Sequence, residues 1–300
     1  MMPEDEPLKK KVGSNAVKVN KLLYYITPRS DVNQHWWYDV LPKFVQAIPF
    51  LMEEASLQIA LDSLREHQII PMYYKKFGMG ERLITVTKEG IKANKVFTSC
   101  NCLTWHPLIS QFGNRLILSS GWDEKPAKQR VYQPLEKRKY IVYGPRKGAA
   151  RGRPVPDEEK LIEEMMQWTS KCTIYQFRSF GDMYSEEKPV EEYLDVFSET
   201  AAIFGAHGGF FANGFFCFNE TLVIEGLCDN RKWFHDTFYA AAAMLEQKYI
   251  RIRPVCHGGE TTILTAQHFI SVLYEYLPPS AFKQECYEKR PTFDMPVTHF

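Results

Sequence analysis

The segment best able to carry chemistry is a glycine-rich turn around a histidine, followed by a strand that ends in a carboxylate. His207 stands between Gly205 and the pair Gly208 and Gly209, and Glu225 ends the apolar stretch that follows. Glycines let backbone N–H groups approach a ligand closely, and the helix expected after the turn would direct its positive end at a phosphate. A glutamate after the next strand suits the hydroxyls of a ribose. The pattern therefore predicts a nucleotide-binding site.

Two polar side chains of this turn also have ordinary structural interpretations. His207 either fills a satisfied position in the turn or donates to a phosphate or to the charge that develops on a leaving group. Asn213, six residues later, either bonds back to the loop or reaches a ligand. The sequence alone leaves both alternatives open.

A second candidate is a basic loop that directly follows a predicted strand at residues 140–143. Residues 144–153 contain four cations and three glycines. The guanidinium groups of Arg146, Arg151 and Arg153 match phosphate oxygens bidentately, whereas a solvated basic loop is the alternative. The pattern GxxxxGK[ST] is absent from the sequence, which excludes a P-loop of the Walker type.

A third candidate is the pair formed by His35 and Asp39. The two residues are four positions apart, so they share a face if the segment is helical. A carboxylate beside a histidine can act as a general base. The alternative is a buried pair at a helix start, flanked by the aromatic residues Trp36, Trp37 and Tyr38.

Composition and charge limit the class of protein. The 300 residues suggest two domains of ordinary size or one large one, and the hydrophobic fraction of 45% is ample for a core. A net charge of +1 gives no drive toward nucleic acid or an anionic membrane. The charged N-terminus and the absence of a long apolar run predict a cytoplasmic protein without a signal peptide or membrane span.

The cysteines give no pattern of a metal site or a disulfide framework. The seven cysteines are scattered and contain no CxxC pair. We therefore expect free thiols in a reducing compartment and no zinc site.

Predicted strands alternate with predicted helices, which indicates an α/β fold with parallel sheets covered on both faces. Residues 115–119 (RLILS) are predicted as a strand of the first half, and residues 172–177 as a strand of the second. A polar stretch with two prolines at residues 123–138 indicates a crossing between domains. Ligands of parallel α/β sheets bind beyond the carboxyl ends of the strands. We therefore expect the basic loop and the histidine turn at the same edge.

Three segments, taken in order, resemble glycosyltransferase family 61, which contains β-1,2-xylosyltransferases, arabinosyltransferases and O-linked N-acetylglucosaminyltransferases. Residues 35–42 (HWWYDVLP) resemble the family element HW..D.LP. Residues 139–157 resemble its strand, arginine-bearing loop and acidic helix. Residues 197–225 resemble its signature FSEA…GPHGAGL.N…VIE.

The resemblance implies a GT-B fold, in which two Rossmann-like domains face each other across a cleft. It implies an acceptor-side domain at residues 1–135, a nucleotide-sugar-binding domain at residues 136–277, and a tail at residues 278–300 that packs back on the first domain. It further implies an inverting transferase that moves a sugar from a UDP-sugar to a hydroxyl of a glycan acceptor. Beyond that donor, no cofactor and no metal would be needed for the chemistry.

The resemblance also implies a role for each candidate residue. Asp39 and His35 form the catalytic pair, with either one as the base and the other as its orienting partner. Glu225 holds the ribose, while arginines of the basic loop and His207 stabilise the departing diphosphate. The full set of implied donor-binding residues is Arg146, Arg151, Arg153, His207, Gly208, Gly209, Asn213 and Glu225.

The residues beside the turn bear on the donor sugar. Phe210 stands where the family has a small residue, and Ala206 and Gly209 also depart from its pattern. The aromatic turn of Phe210 and Phe211 favours a small pentose, so UDP-xylose is the predicted donor.

Three other functions remain open. One is a different nucleotide-sugar enzyme of the same fold, such as an epimerase, a retaining transferase or a transferase with another donor. Another is a non-catalytic protein that binds nucleotides or glycans. The third is an NAD-dependent reductase, which the absence of GxGxxG disfavours.

Overall fold

A computed structural model of the chain shows two compact units, residues 1–104 and 105–300. The residues that the structure describes are 15–24, 40–61, 74–75, 78–86, 88–98, 106–119, 130–146, 154–183, 190–227, 236–253, 255–257, 261–291 and 297–299. The division at residue 104 falls earlier than the expected boundary at residue 135. The assignment of an acceptor side and a donor side to the two units stays a prediction.

The first unit is built on a four-stranded parallel sheet with the order β3-β2-β1-β4. Its strands are β1 (Val17–Leu23), β2 (Gln58–Leu61), β3 (Leu83–Thr85) and β4 (Ile91–Phe97), with helix α1 (Leu41–Glu53) between β1 and β2. Helix α1 has Pro42 in its first turn, where a missing N–H costs little, and it buries Phe44 and Leu51. The Arg82 guanidinium donates two hydrogen bonds to the Leu51 carbonyl, at 2.8 and 2.7 Å.

The second unit contains a six-stranded sheet with the order β12-β9-β8-β7-β5-β6, in which only β12 runs antiparallel. The strands are β5 (Tyr140–Gly144), β6 (Gln176–Ser179), β7 (Thr200–Ala206), β8 (Leu222–Gly226), β9 (Lys248–Ile252) and β12 (Val297–His299). Strands β10 (Val255–His257) and β11 (Thr261–Ile263) form a separate hairpin.

Helices connect and cover this sheet. They are α2 (Pro107–Ser119), α3 (Glu158–Cys172), α4 (Phe180–Met183), α5 (Val190–Ser198), α6 (Thr237–Met244), α7 (Ala266–Tyr276) and α8 (Gln284–Glu288). One face of the sheet, including Ile141, Phe204 and Ile224, packs against Leu161 of α3 and Phe269 of α7. All seven residues of β7 are buried, as expected for a central strand covered on both faces.

The order of the five parallel strands defines where the chain reverses direction across the sheet. The chain starts in β5, moves outward to β6, and then returns past β5 to β7, β8 and β9. In doubly wound sheets, the crevice at this reversal, beyond the carboxyl ends of the strands, is the usual ligand site. Here that crevice lies beyond the ends of β5 and β7.

Two sequence-based elements are wrong. Residues 115–119, predicted as a strand, form the last part of helix α2. Helix α2 buries Ser110, Asn114 and Ile117 at helical spacing, so the short apolar run belongs to a helix face. Residues 172–177 do not form one strand either, because Cys172 ends α3 and β6 begins only at Gln176.

The element after the histidine turn also differs from expectation. Residues Gly209–Phe216 form a 3-10 helix instead of an α-helix. Phe211, Phe215 and Phe216 of this segment are buried, so its main role is to fill apolar space beside the sheet. The expected α-helical N-terminus, with its positive end at a phosphate, is therefore not present here.

The expectation of free thiols is wrong for two cysteines. Cys172 and Cys286 form a disulfide that joins the end of α3 to α8, with Cα atoms 5.5 Å apart. Among the cysteines whose side chains are described, Cys217 is a free, buried thiol.

The described part of segment 278–300 packs within the second unit. Strand β12 pairs with β9, and α8 carries the disulfide to α3. Thr173 and Phe282 form a further antiparallel bridge. The expected contact of this segment with the N-terminal domain stays a prediction.

Candidate functional site

The ends of β5 and β7 approach each other closely at the crevice. Gly144 and Gly205 are register partners in neighbouring strands. A Cβ atom on Gly205 would lie 2.8 Å from the Gly144 carbonyl oxygen, which real side chains do not tolerate. A Cβ atom on Gly144 would overlap the ring of Phe210. Both glycines are thus required by the close packing of the strand ends.

The loop after β5 is held by the first residue of helix α3. The Glu158 carboxylate accepts a hydrogen bond from the Arg146 backbone N–H at 2.7 Å and another from the Tyr143 hydroxyl at 2.8 Å. Glu158 is buried, and burial together with this carboxylate raises the pKa of Tyr143 above its ordinary value. Tyr143 therefore stays a hydrogen-bond donor, and Arg146 leaves the strand in a fixed direction.

The Arg146 side chain reaches across to the turn after β7. A Cβ atom on Gly208 would overlap the Arg146 guanidinium, so the absence of a side chain at residue 208 makes room for the cation. Within the described part of the chain, the buried Arg146 Nε has no hydrogen-bond partner. Burial lowers the pKa of Arg146 from its ordinary value. A buried donor without a partner calls for an explanation, and an anionic oxygen in the crevice would supply one.

His207 is anchored on the other side of the turn by a buried carboxylate. Its Nδ1 is hydrogen-bonded to Oε1 of Glu225, and its backbone N–H donates to the Gly226 carbonyl at 2.9 Å. Oε2 of Glu225 accepts a hydrogen bond from the Tyr249 hydroxyl. This arrangement fixes the orientation of the imidazole ring and assigns Nδ1 as the atom that faces the carboxylate.

Glu225 is buried beneath the histidine turn and is held by two donors. The Glu225 side chain has no exposed surface, it lies within β8, and both of its oxygens are engaged. These contacts orient the histidine, and the expected contact of Glu225 with a ribose stays a prediction.

Asn213 takes the first of its two alternatives. It is 1% exposed, its amide donates to the Phe210 carbonyl at 2.7 Å, and its oxygen accepts a hydrogen bond from the Tyr193 hydroxyl at 2.9 Å. Asn213 therefore bonds back to its own loop and fixes the 3-10 segment, which supports the turn from beneath.

Four candidate residues lie outside the described part of the chain: His35, Asp39, Arg151 and Arg153. The structure brings Arg146, His207, Gly208 and Gly209 to one edge of the second sheet, with Glu225 beneath them.

Sequence reasoning missed the residues that hold this edge together. Glu158 begins the acidic helix that follows the basic loop, and its carboxylate binds the Arg146 backbone N–H of that loop. Tyr249 and Arg251 belong to the strand sequence KYIRI, which is otherwise mostly apolar after its first residue. The arginine at a core position of this strand is the one unusual signal. A charged residue inside a predicted core strand requires a partner, and that requirement could have pointed to Glu225.

Among the described residues, metal-ligand clusters and membrane-spanning helices are both absent. No group of three or more His, Cys, Asp or Glu side chains there is arranged to hold a metal ion. Within those same ranges, no helix combines the length and apolar character needed to cross a bilayer.

The family model described as Glycosyltransferase 61 matches residues 34–224, well over half of the chain. The chain therefore belongs to glycosyltransferase family 61, whose membership implies glycosyl transfer from a donor to an acceptor. A search of curated proteins found no match. The matched region contains Arg146, His207 and Gly208 and ends immediately before Glu225.

Proposed function

We propose that the protein is an inverting glycosyltransferase whose second unit binds the diphosphate of a UDP-sugar donor. The observation that supports this most directly is the buried Arg146 Nε, which lacks a partner among the described residues and lies where Gly208 leaves room for the guanidinium. The crevice is at the strand reversal, where doubly wound sheets bind nucleotides.

Arg146 and His207 are proposed to stabilise the leaving diphosphate. A guanidinium can donate two parallel hydrogen bonds to phosphate oxygens, and its charge opposes the charge that develops as the glycosidic bond breaks. His207 contributes the ring nitrogen opposite Nδ1, because Nδ1 is engaged by Glu225, and this nitrogen donates to a diphosphate oxygen when both ring nitrogens carry a proton. Arg151 and Arg153 would add to this charge, so that no metal is needed for the chemistry.

The acceptor side is proposed to lie on the first unit, in a GT-B arrangement. Inversion in a single displacement requires a base that removes the acceptor proton as the hydroxyl attacks the anomeric carbon. Asp39 or His35 is proposed for that role, with the other residue as its orienting partner. The acceptor is proposed to be a glycan hydroxyl.

The proposed donor is UDP-xylose. Phe210 covers Gly144 at the end of β5 and contacts Phe180, with ring centroids 5.3 Å apart. Phe211 is buried against Phe238 instead, so Phe210 alone supports this choice of donor. A bulky ring at this position favours a pentose over a larger N-acetylated sugar.

The cellular location also stays a prediction. The cytoplasmic expectation depended on absent targeting signals. The Cys172–Cys286 disulfide favours an oxidising compartment, because such bonds are rare in the cytosol.

Donor turnover tests the proposed activity. The full chain would be incubated with UDP- and GDP-sugars, with and without EDTA, and the release of nucleotide followed. We expect EDTA-insensitive release from one UDP-sugar, fastest for UDP-xylose, and an inverted anomeric configuration in the product. Asp39→Asn should abolish turnover and retain UDP binding, whereas Glu163→Gln, which neutralises an exposed carboxylate on α3, should leave both unchanged.

Two results would contradict the proposal. Binding of UDP without turnover of any nucleotide-sugar would favour the non-catalytic alternative. A product with retained configuration would favour a retaining transferase.

A further inference from the structure

The hydrogen bonds beneath His207 continue through β9 to the surface. Tyr249 donates to Glu225, and the Arg251 Nε donates to the Tyr249 oxygen at 3.4 Å. The Arg251 Nη2 forms an ion pair with Asp236 at 3.4 Å. Arg251 is 2% exposed, whereas the Asp236 side chain is half exposed. A continuous chain of polar groups therefore runs from the crevice to the rim of the unit.

The charges of the groups in this hydrogen-bonded series compensate one another. Glu225 and Arg251 are a buried anion and a buried cation on adjacent strands, at paired positions of β8 and β9. A buried charge is tolerated when it is paired and hydrogen-bonded. The Tyr249 hydroxyl stands between the two and bonds to both of them.

We propose that Tyr249 is a positioning residue for His207, acting through Glu225, and that Arg251 holds Tyr249 in place for this purpose. The effect of Tyr249 on catalysis rests on the proposed function, whereas its effect on the orientation of His207 does not. Neither residue lies in the region matched by the family model, which ends at residue 224.

The physical argument concerns the freedom of the Glu225 carboxylate. With one oxygen on His207 and the other on Tyr249, the plane of the carboxylate is fixed at both ends. Without the Tyr249 hydroxyl, Oε2 would be a buried acceptor lacking that donor, and the carboxylate would gain rotational freedom toward other donors. The imidazole would then lose its fixed orientation and its fixed tautomer.

Tyr249 is suited to this task because it remains a donor. Burial, followed by the neighbouring Glu225 carboxylate, raises the pKa of Tyr249 above its ordinary value. Its hydroxyl therefore keeps its proton throughout the pH range of ordinary assays.

The test compares Tyr249→Phe with Tyr175→Phe in the full chain labelled with 15N-histidine. Tyr175 is a matched control, since it is equally buried and its hydroxyl donates to the Leu135 carbonyl, at 3.0 Å. Ring nitrogen signals of His207 are assigned from the signals lost in His207→Gln. Turnover of the UDP-sugar is measured in parallel.

We expect the wild-type His207 signals to show a protonated Nδ1, and Tyr175→Phe to leave them unchanged. In Tyr249→Phe the Nδ1 signal should move toward the average of the two tautomers, and kcat should fall by about 10–100-fold, the usual effect of removing a residue that orients a histidine ligand. The donor KM should change less than kcat does.

Three outcomes decide between the interpretations. Unchanged His207 signals in Tyr249→Phe, or equal changes in both tyrosine variants, would overturn the inference. A selective change of the His207 signals in a protein that turns over no nucleotide-sugar would support the positioning and reject the proposed function. If Tyr249→Phe does not fold, Arg251→Lys replaces it in the test. This variant keeps the charge facing Asp236 and loses the bond to Tyr249. It should shift the same His207 signals by a smaller amount.

Discussion

Arg146 and Gly208 form a complementary pair at the centre of the crevice. Gly208 has φ 167°, an extended conformation that any residue can adopt, so the glycine is not needed for its backbone. It is needed because a Cβ atom would overlap the Arg146 guanidinium. The close packing of these two residues is therefore a specific steric requirement of the site.

This requirement predicts that Gly208→Ala displaces the guanidinium and weakens UDP binding by about tenfold, which corresponds to about 1.4 kcal/mol. In the Arg146→Ala background the same substitution meets no guanidinium and should have little further effect. A double-mutant cycle on UDP affinity, measured by calorimetry, gives the coupling. Additive losses would show that the two residues act independently and would contradict the steric account.

At this scale the sequence predicted where the turn residues lie and only part of their contacts, and the nucleotide site itself stays a prediction. Residue types at the turn indicated a nucleotide site, and His207 and Gly208 lie at the crevice, where they were expected. The link between His207 and Glu225 was not predictable, because it depends on the register between β7 and β8. The contact of Tyr249 with Glu225 was not predictable for the same reason, because it depends on the register between β8 and β9.

Helix α7 begins with a contact that responds to pH. The Thr265 backbone N–H donates to Nδ1 of His268 at 3.0 Å, so Nδ1 must carry no proton. Burial lowers the pKa of His268 below its ordinary value near 6.5. The folded state therefore binds fewer protons than the unfolded state as the pH falls below that value.

It follows that this cap contributes its full stability above about pH 6.5, the ordinary histidine value, and loses it on acidification. Because His268 is only partly buried, we expect a contribution of no more than about 1 kcal/mol. Urea unfolding at pH 7.5 and pH 5.5 measures it. His268→Gln retains an acceptor that does not titrate, so its stability should fall less than that of the wild type on acidification. An identical fall in both proteins would exclude this cap as the cause.

Secondary-structure elements were predictable where the sequence pattern fits only one type of element. Strands β7 and β8 are continuous apolar runs between turn residues, and β8 contains Glu225, the residue at which a strand was predicted to end. The short run RLILS fits a strand and a helix equally well, and its burial in α2 decides for the helix. The 3-10 helix at Gly209–Phe216 was not predictable, since its conformation follows from packing four phenylalanines beside the sheet.

On the scale of the whole chain, the disulfide is the main covalent constraint of the second unit. Cys172 and Cys286 are 114 residues apart in sequence, so the bond closes a long loop. We expect reduction, or the double variant Cys172→Ser and Cys286→Ser, to lower the free energy of unfolding by roughly 2–4 kcal/mol. Urea unfolding with and without a reducing agent measures the change, and the double variant should not respond to the reducing agent.

Alkylation of the native protein provides the check on this bond. Burial raises the pKa of the Cys217 thiol to about 12, so this residue should stay unlabelled until the chain unfolds. Labelling of Cys172 and Cys286 in the native, unreduced protein would show that the disulfide is absent. The distance between the two cysteines along the chain explains why the sequence did not reveal their pairing.

The two parallel sheets and the α/β class were predictable from the alternation of elements, and the family from three short segments. The division of the chain expected at residue 135 stays a prediction, whereas residues 115–119, read as a strand of the first half, belong to helix α2. Its contacts with α6 and with the 3-10 helix place it in the second unit.

Calorimetric titration of UDP into the full chain in the presence of EDTA tests the central claim most directly. We predict saturable binding to the wild type and to Lys160→Ala, which removes an exposed cation on α3. Arg146→Ala should bind about 10–100-fold more weakly, because hydrogen bonds to charged groups contribute roughly 1.5–3 kcal/mol. Absence of UDP binding by the wild type, or equal affinity of Arg146→Ala, would contradict a donor diphosphate site at the ends of β5 and β7.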